Sequence, residues 1–311
     1  MILTVTFNPA VDMDFLVEDF LPGRRYRADV SRRSPGGAGI NISIILRRLG
    51  QPSIASGFLA GFDGLYILEA LRKEGISTNF IHTGGETRIN VCIIDVERNV
   101  ETRLHERGIE IPAQDRKIFL RNYERILTRA HAVCLGGSLP PGLNVSIYGE
   151  MVKMAKNASL PVVVHPTEDA LEAALEEAPT VVKLDYQSRL SETGLAGQEE
   201  VNAFAKQALL LRGRGTQWVI TSLSREKVAF ASPGGLWIAE NPLSEMRYVY
   251  ATEDALLAGL LAGLQERFSS ERAIRLAMAC CRECATHHEK FPENRSCVEK
   301  LTSDVLLTKI D

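Results

Sequence analysis

A group of residues near the N-terminus has the chemistry needed to hold a polyhydroxylated molecule. Asp12 could accept hydrogen bonds from hydroxyl groups, and Asn41 could both donate and accept them. Gly36 and Gly37 lack a side chain and would let the backbone approach such a ring closely. The alternatives are a turn residue for Asp12 and a loop before a helix for the glycines. Together these features predict a cradle for a polyol.

A second candidate lies in the C-terminal part of the chain, where the pattern predicts helices over 254–266 and 270–289. A helix N-terminus has unpaired N–H groups and a partial positive charge, so the start of the first helix could hold phosphate oxygens. Asp254 stands at that start and could act as a general base. It could equally be a helix cap, because aspartate satisfies free N–H groups there.

A third candidate is a cysteine and histidine cluster. Cys280, Cys284, His287 and His288 share one face of the second predicted helix and could hold zinc. The alternative, which we favour, is a packed amphipathic helix in which free cysteines behave as small buried hydrophobic residues.

Strand-like apolar runs alternate with amphipathic stretches along most of the chain. This alternation predicts an α/β fold with a parallel sheet covered by helices on both faces. Ligands then belong at the carboxyl ends of the strands. The apolar runs are 2–7, 53–59, 132–135, 162–165, 181–184 and 218–222, and the helical patterns lie near 39–49, 64–74, 112–128, 145–156, 167–177 and 199–212.

Two segments, 12–34 and 87–106, do not follow that alternation. Ile89, Val91, Ile93 and Asp95 alternate as in a half-exposed antiparallel strand. We expect the two segments to form a small β lid. A lid would exclude water, which otherwise takes the phosphoryl group during phosphoryl transfer.

Composition supports one domain that acts on small molecules. A chain of 311 residues with 45% hydrophobic residues can bury a large core, and no linker-like stretch divides it. A net charge of -3 provides no basic field for nucleic acid or an anionic membrane. No apolar run is long enough for a membrane span, and the first residues lack a signal-peptide pattern, so we expect a cytoplasmic protein with reduced thiols.

Six ordered motifs make the chain resemble the ribokinase-like carbohydrate kinases, and within their phosphofructokinase B group the 1-phosphofructokinase and tagatose-6-phosphate kinase branch. The resemblance implies a mostly parallel central sheet with a β lid, ATP and Mg²⁺ as cofactors, a phosphorylated ketohexose as substrate, and a possible homodimer through the lid. The motifs are Thr6-Phe-Asn-Pro-Ala-Val-Asp12, Pro35-Gly-Gly-Ala-Gly-Ile-Asn41, Gly57-Phe-Leu-Ala-Gly61, Thr87-Arg-Ile-Asn90, Gly137-Ser-Leu-Pro-Pro-Gly142 and Asp254-Ala-Leu-Leu-Ala-Gly-Leu-Leu-Ala-Gly263.

The sugar side of the family pattern is well preserved. Arg88 matches the position that grips the phosphate already on the sugar, and Arg25 and Arg27 could assist from the lid, since guanidinium groups pair well with phosphate. The alternative for these arginines is a solvated surface. Ser138 matches a substrate-contacting position of the family, and its alternative is a residue of a simple turn. The usual lysine of the glycine-rich motif is Ala38 here. The resemblance places substrate-binding residues at Asp12, Gly36, Gly37, Asn41, Arg88, Asn90, Ser138 and Arg27.

The nucleotide side departs from the family pattern. The family's Gly-Ala-Gly-Asp motif offers bare backbone N–H groups to the transferring phosphoryl group, and here it reads Ala251-Thr252-Glu253-Asp254. The aspartate of the motif is present as Asp254, but Ala251 and Glu253, which carry side chains, replace the two glycines. A Glu253 carboxylate pointing inward at about 4 Å from a phosphate charge would repel it by about 4 kcal/mol at an effective dielectric near 20. If the Glu253 carboxylate pointed outward to solvent, its repulsion of the phosphate would be weaker.

Two further nucleotide-side motifs have changed. The family's Lys-Pro-Asn-x-x-Glu stretch, which organises magnesium, reads Lys183-Leu-Asp185-Tyr-Gln-Ser188, so the final acid is lost. Asp185 could still bind Mg²⁺ or could be a solvated acid. The glycine-bracketed loop after Ser222 reads Ser224-Arg225-Glu226-Lys227, which could supply positive charge or form a polar hairpin turn.

Two hypotheses follow. The first is a catalytically impaired relative that binds a phosphosugar, which accounts for the joint changes at three nucleotide-side motifs. The second is an ATP-dependent kinase that phosphorylates fructose 1-phosphate or tagatose 6-phosphate.

Overall fold

The computed structural model describes residues 1–95, 97–98, 100–184, 198–224, 226–241, 252–286 and 290–310. The strands are β1 (Ile2–Thr6), β2 (Ala10–Val17), β3 (Asp29–Gly36), β4 (Ser53–Leu59), β5 (Ser77–His82), β6 (Arg88–Asp95), β7 (Val100–His105), β8 (Ala132–Gly137), β9 (Val162–Pro166), β10 (Val181–Leu184), β11 (Trp218–Ser222), β12 (Lys227–Ser232), β13 (Gly235–Glu240) and β14 (Leu306–Ile310).

The helices alternate with these strands. They are α1 (Ala38–Arg48), α2 (Gly61–Lys73), α3 (Ala113–Leu127), α4 (Ser146–Asn157), α5 (Glu168–Glu176), α6 (Gln198–Gly213), α7 (Thr252–Gln265), α8 (Ser270–Thr286) and α9 (Arg295–Leu301). A short 3₁₀ turn covers Thr302–Asp304.

Ten of the described strands form the main sheet in the order β14-β13-β12-β11-β10-β9-β8-β1-β4-β5. The strands from β11 to β5 in this order are parallel, and β12, β13 and β14 continue the sheet antiparallel. The predicted α/β class with a mostly parallel sheet is therefore confirmed. The predicted apolar runs did not include β5, β12, β13 and β14. The edge strands β5 and β14 are largely exposed and carry few buried apolar residues, whereas β12 is buried and was not recognised.

Apolar cores cover both faces of the main sheet. Successive residues of β1 point to opposite faces, so Ile2 packs with the core that contains α1, α7 and α8, whereas Leu3 and Val5 pack with the core that contains α3, α4 and α5. Because both faces are covered, β1 is buried throughout and appears in the sequence as a continuous apolar run.

Close packing of two helices sets the position of α7. A Cβ atom at Gly259 would lie 2.8 Å from the Cα of Ala277, and one at Gly263 would lie 3.0 Å from the Cα of Ala273. These glycines, one turn apart on α7, let α7 approach the backbone of α8. The N-terminus of α7 is thereby held against the carboxyl ends of the parallel strands.

A second sheet has the strand order β3-β2-β6-β7. Its strands lie in the two segments predicted as a lid, except that β2 begins before the first segment and β3 ends after it. β6 pairs antiparallel with β7, as its alternation predicts, but it pairs parallel with β2. The alternating residues Ile89, Val91 and Ile93 are only partly buried, whereas Asn90 and Cys92 on the opposite face are buried. The two-residue pattern of β6 therefore indicated a strand, but neither its more buried face nor the direction of both neighbours.

All six cysteines are free, and only Cys297 is partly exposed. Within the described part of the chain, no helix combines the length and the apolar character needed to cross a bilayer.

Candidate functional site

The candidate site lies where the main sheet meets the base of the second sheet. Asp12 on β2 lies at the end of the site where the sequence predicts a bound sugar, and this end is called the sugar end below. The Asp12 Oδ1 atom accepts a hydrogen bond of 2.9 Å from Asn90 Nδ2, because β2 and β6 pair these two residues directly. Both side chains are buried.

The two glycines of the predicted cradle are needed where they stand. A Cβ atom at Gly36 would lie 2.2 Å from Asp12 Oδ2, so the carboxylate lies against bare backbone. Gly37 has a φ of +112°, and a Cβ there would lie 2.4 Å from Cγ2 of Thr6. The loop therefore combines a backbone conformation that favours glycine with close approach to the carboxylate.

Asp254 lies in the first turn of α7, which begins at Thr252. Its Oδ2 atom accepts a hydrogen bond of 2.8 Å from Asn41 Nδ2 on α1. The carboxylate thus contacts a side chain from another element, which a simple helix cap does not need. Burial raises the pKa of Asp254, and the Asn41 hydrogen bond and the nearby His165 and Lys290 lower it by less.

We expect Asp254→Asn to stabilise the fold at neutral pH. Because the pKa of Asp254 is raised in the folded state, stability falls as pH rises from the ordinary pKa near 4 through the raised value, and the penalty remains above it. Asparagine removes the charge and can still accept the Asn41 hydrogen bond. Thermal unfolding should show the variant more stable than wild type at about pH 8, with the difference vanishing near pH 4. If Asp254→Asn were less stable than wild type at pH 8, the result would contradict a raised pKa for Asp254 in the folded protein.

Glu253 points toward the carboxyl ends of three neighbouring strands. Its Oε1 atom lies 2.8 Å from Lys183 Nζ and 3.4 Å from Ser222 Oγ, and its Oε2 atom lies 3.5 Å from His165 Nε2. The Lys183 side chain is 0% exposed, whereas that of Glu253 is 45% exposed. The sequence left the direction of Glu253 open, and the structure places its carboxylate on the inward side.

Arg88 and Ser138 meet at Asn8. The Arg88 guanidinium donates to the Asn8 carbonyl at 2.9 Å and to the Glu106 carbonyl at 2.8 Å. Asn8 Nδ2 in turn donates to Ser138 Oγ at 3.3 Å. Burial lowers the pKa of Arg88, while the nearby Asp12 raises it by less. Arg88 therefore belongs to the sugar end.

The contacts of Asp12, Asp254 and Glu253 given above do not include Arg25, Arg27 or Ser224. Arg25 and Arg27 are exposed on the segment between β2 and β3. Ser224 Oγ accepts from the backbone N–H groups of residues 226 and 227 and contacts the Glu226 carboxylate, as in the polar hairpin turn considered from the sequence. Ala251 and Asp185, together with Arg225 and Ser188, lie outside the described residues.

Sequence reasoning missed two residues of the site, Lys290 and His165. Lys290 Nζ lies 2.6 Å from Asp12 Oδ2, and it comes from a short polar segment with no pattern that predicts such a contact. His165 could have been found, because it ends a predicted strand of the parallel sheet, where ligand-binding side chains belong.

The cysteine and histidine cluster gives no support to a zinc site. Cys280 and Cys284 are buried in α8, and the hydrogen bond with Cys280, together with burial, raises the pKa of the Cys284 thiol. His287 and His288 lie outside the described residues. Among the residues that are described, no group of three potential ligands is close enough to hold a metal ion.

The model of the pfkB family carbohydrate kinases matches residues 6–291. The chain belongs to the pfkB family of carbohydrate kinases. This pfkB chain is 31% identical over 312 residues to the 1-phosphofructokinase of Bacillus subtilis (strain 168), and the match covers 100% of both sequences.

Solved structures agree with the pfkB assignment. A crystal structure from Thermotoga maritima, described as a possible 1-phosphofructokinase, superposes with a TM-score of 0.89 at 30% identity over 100% of both chains. Phosphofructokinase-2 from Escherichia coli, in complex with substrates and products, has a TM-score of 0.86 at 20% identity over 97% of this chain and 98% of its own. The second likeness shows the fold alone. The resemblance drawn from the six motifs is confirmed at the level of the family.

Proposed function

We propose that this chain is a phosphosugar-binding protein of the 1-phosphofructokinase and tagatose-6-phosphate kinase branch in which phosphoryl transfer from ATP is impaired or absent. The observation that carries the proposal is the inward carboxylate of Glu253, held 2.8 Å from Lys183 Nζ. Family membership supports the sugar-phosphate part of the proposal, and the chemistry around Glu253 supports the loss of transfer.

The residues at the nucleotide end fit the terminal phosphate of Mg-ATP poorly. Lys183, Ser222 and His165 would suit a phosphate oxygen, but in this arrangement they surround the Glu253 carboxylate. A second anion beside that carboxylate is repelled, with a cost of about 4 kcal/mol at about 4 Å and an effective dielectric near 20. Because Glu253 is half exposed, solvent reduces this figure. ATP and Mg²⁺, which pfkB kinases use in general, are therefore not assigned to this chain as bound cofactors.

The sugar end supports ligand binding. Asp12, Asn90, Gly36 and Arg88 meet at the base of the second sheet, where they combine carboxylate and amide groups with bare backbone and a cation. Hydroxyl groups and a phosphate are the ligands that such groups recognise. A phosphorylated ketohexose carries both.

An active ATP-dependent kinase is the second candidate. Asp254 stands at the family's base position with Asn41 bonded to it, and the Bacillus subtilis relative of full length is a 1-phosphofructokinase. In this alternative the chain phosphorylates fructose 1-phosphate or tagatose 6-phosphate, and Glu253 turns toward solvent when nucleotide binds.

Isothermal titration calorimetry separates the two candidates. We expect fructose 1-phosphate or tagatose 6-phosphate to bind with a dissociation constant of roughly micromolar order, and Mg-ATP to give no heat below about 1 mM. Micromolar affinity for Mg-ATP, together with turnover of fructose 1-phosphate in a coupled assay, would support the active kinase and exclude the impaired protein. Unphosphorylated fructose is the matched control ligand.

Cytoplasmic function, a closing role for the second sheet as a lid and a homodimer formed through it stay predictions. The edge strand β7 of the second sheet carries exposed Val100 and Leu104, 52% and 59% exposed. Two apolar side chains on an edge strand favour pairing with a second copy.

A further inference from the structure

Lys290 reaches from the segment after α8 into the sugar end of the site. Its Nζ atom donates to Asp12 Oδ2 at 2.6 Å and to the Pro35 carbonyl at 2.9 Å, and its side chain is only 1% exposed. Asp12 lies on β2 and Pro35 on β3. One buried ammonium group therefore joins the C-terminal part of the chain to both strands at the base of the second sheet.

The carboxylates of this region explain why a lysine is buried here. Asp14 forms an ion pair with Arg32, and Asp254 accepts a hydrogen bond from Asn41. These two acids therefore have partners other than Lys290. Lys290 is the partner of Asp12 and also lies close enough to Asp254 to lower its pKa against the effect of burial. It thus lies between the candidate acceptor of sugar hydroxyls and the candidate base.

The hydrogen bonds of Asp12 with Asn90 and Lys290 use only part of the hydrogen-bonding capacity of its carboxylate. An ionised carboxylate offers about four lone-pair sites. Asn90 occupies a site on Oδ1 and Lys290 occupies one on Oδ2. Two anchored oxygens present their other lone pairs in fixed directions.

We propose that Lys290 is a substrate-positioning residue that fixes the Asp12 carboxylate for the hydroxyl groups of a ketohexose phosphate. This inference rests on the proposed function, because it concerns the same sugar end. Lys290 acts through Asp12, and its effect on binding disappears when the Asp12 carboxylate is removed.

The test is a double-mutant cycle on the dissociation constant for fructose 1-phosphate, measured by calorimetry on the full chain. Lys290→Met is expected to weaken binding at least about tenfold, and Asp12→Asn by a similar factor. Added to Asp12→Asn, Lys290→Met should change the dissociation constant less than about twofold. Lys300→Met, at an exposed position on α9, is the control and should bind like wild type.

Stability is measured in parallel, because Lys290→Met leaves a buried carboxylate without this cation and can unfold the chain. The double variant removes both charges and keeps the comparison with Asp12→Asn available. A folded Lys290→Met protein with wild-type affinity would overturn the inference, and so would a further tenfold loss in the Asp12→Asn background. A wild-type protein that binds no ketohexose phosphate would overturn the proposed function itself, so the wild-type titration separates the two failures.

Discussion

Replacing Glu253 with glycine is expected to raise the affinity for Mg-ATP about a hundredfold, or about 2.7 kcal/mol. The substitution removes the carboxylate that faces Lys183, Ser222 and His165, and it restores bare backbone at the second residue of α7. The expected gain is smaller than the full repulsion of about 4 kcal/mol, since the side chain is half exposed. Calorimetry with Mg-ATP measures the change.

Stability gives a second result for the same variant. Without nucleotide, Glu253→Gly should unfold at a lower temperature than wild type, because the buried Lys183 ammonium loses this carboxylate. Mg-ATP should restore the unfolding temperature. Glu271→Gly is the matched control, because Glu271 is the second residue of α8 and is exposed. If both variants leave nucleotide affinity at the wild-type value, Glu253 is not what excludes the phosphate.

The second large effect is expected at the sugar end. Gly36→Ala should weaken fructose 1-phosphate binding at least about thirtyfold, or about 2 kcal/mol. The new Cβ would lie 2.2 Å from Asp12 Oδ2, so the carboxylate must move away from Lys290 and Asn90. Gly36 does not have a positive φ, so the backbone accepts alanine and the collision alone causes the loss.

Gly84→Ala is the control for this change. Gly84 also lacks a positive φ, and a Cβ atom there meets nothing within 4 Å. Calorimetry should give wild-type affinity for Gly84→Ala. Equal affinities of Gly36→Ala and wild type would show that the ligand does not use the Asp12 carboxylate.

The fold could be predicted because its signals are local and repeated. The buried parallel strands appear as apolar runs, and the helices between them follow the helical period. The edge strand β14 gave a weak signal, since an edge strand buries little and its pairing partner β13 is distant in sequence.

The site could be predicted only where a motif carries it. Asp12, Asn41 and Asp254 stand in such motifs, and the structure brings each into contact with another polar residue, although their roles stay predictions. The contact between Lys290 and Asp12 joins residues 278 positions apart. No local pattern encodes a pairing over that distance. The direction of Glu253 likewise depends on Lys183 and His165, which three different elements bring together.

The residues that fix the position of α7 are different from the residues of α7 that belong to the candidate site. Gly259 and Gly263 anchor the helix several residues beyond its first turn, so its placement does not depend on which side chains occupy 252 and 253. Amino-acid substitutions in that first turn can therefore abolish catalysis without unfolding the protein. If phosphoryl transfer is impaired as proposed, the helix placement that positions Asp254 is still available for its recovery.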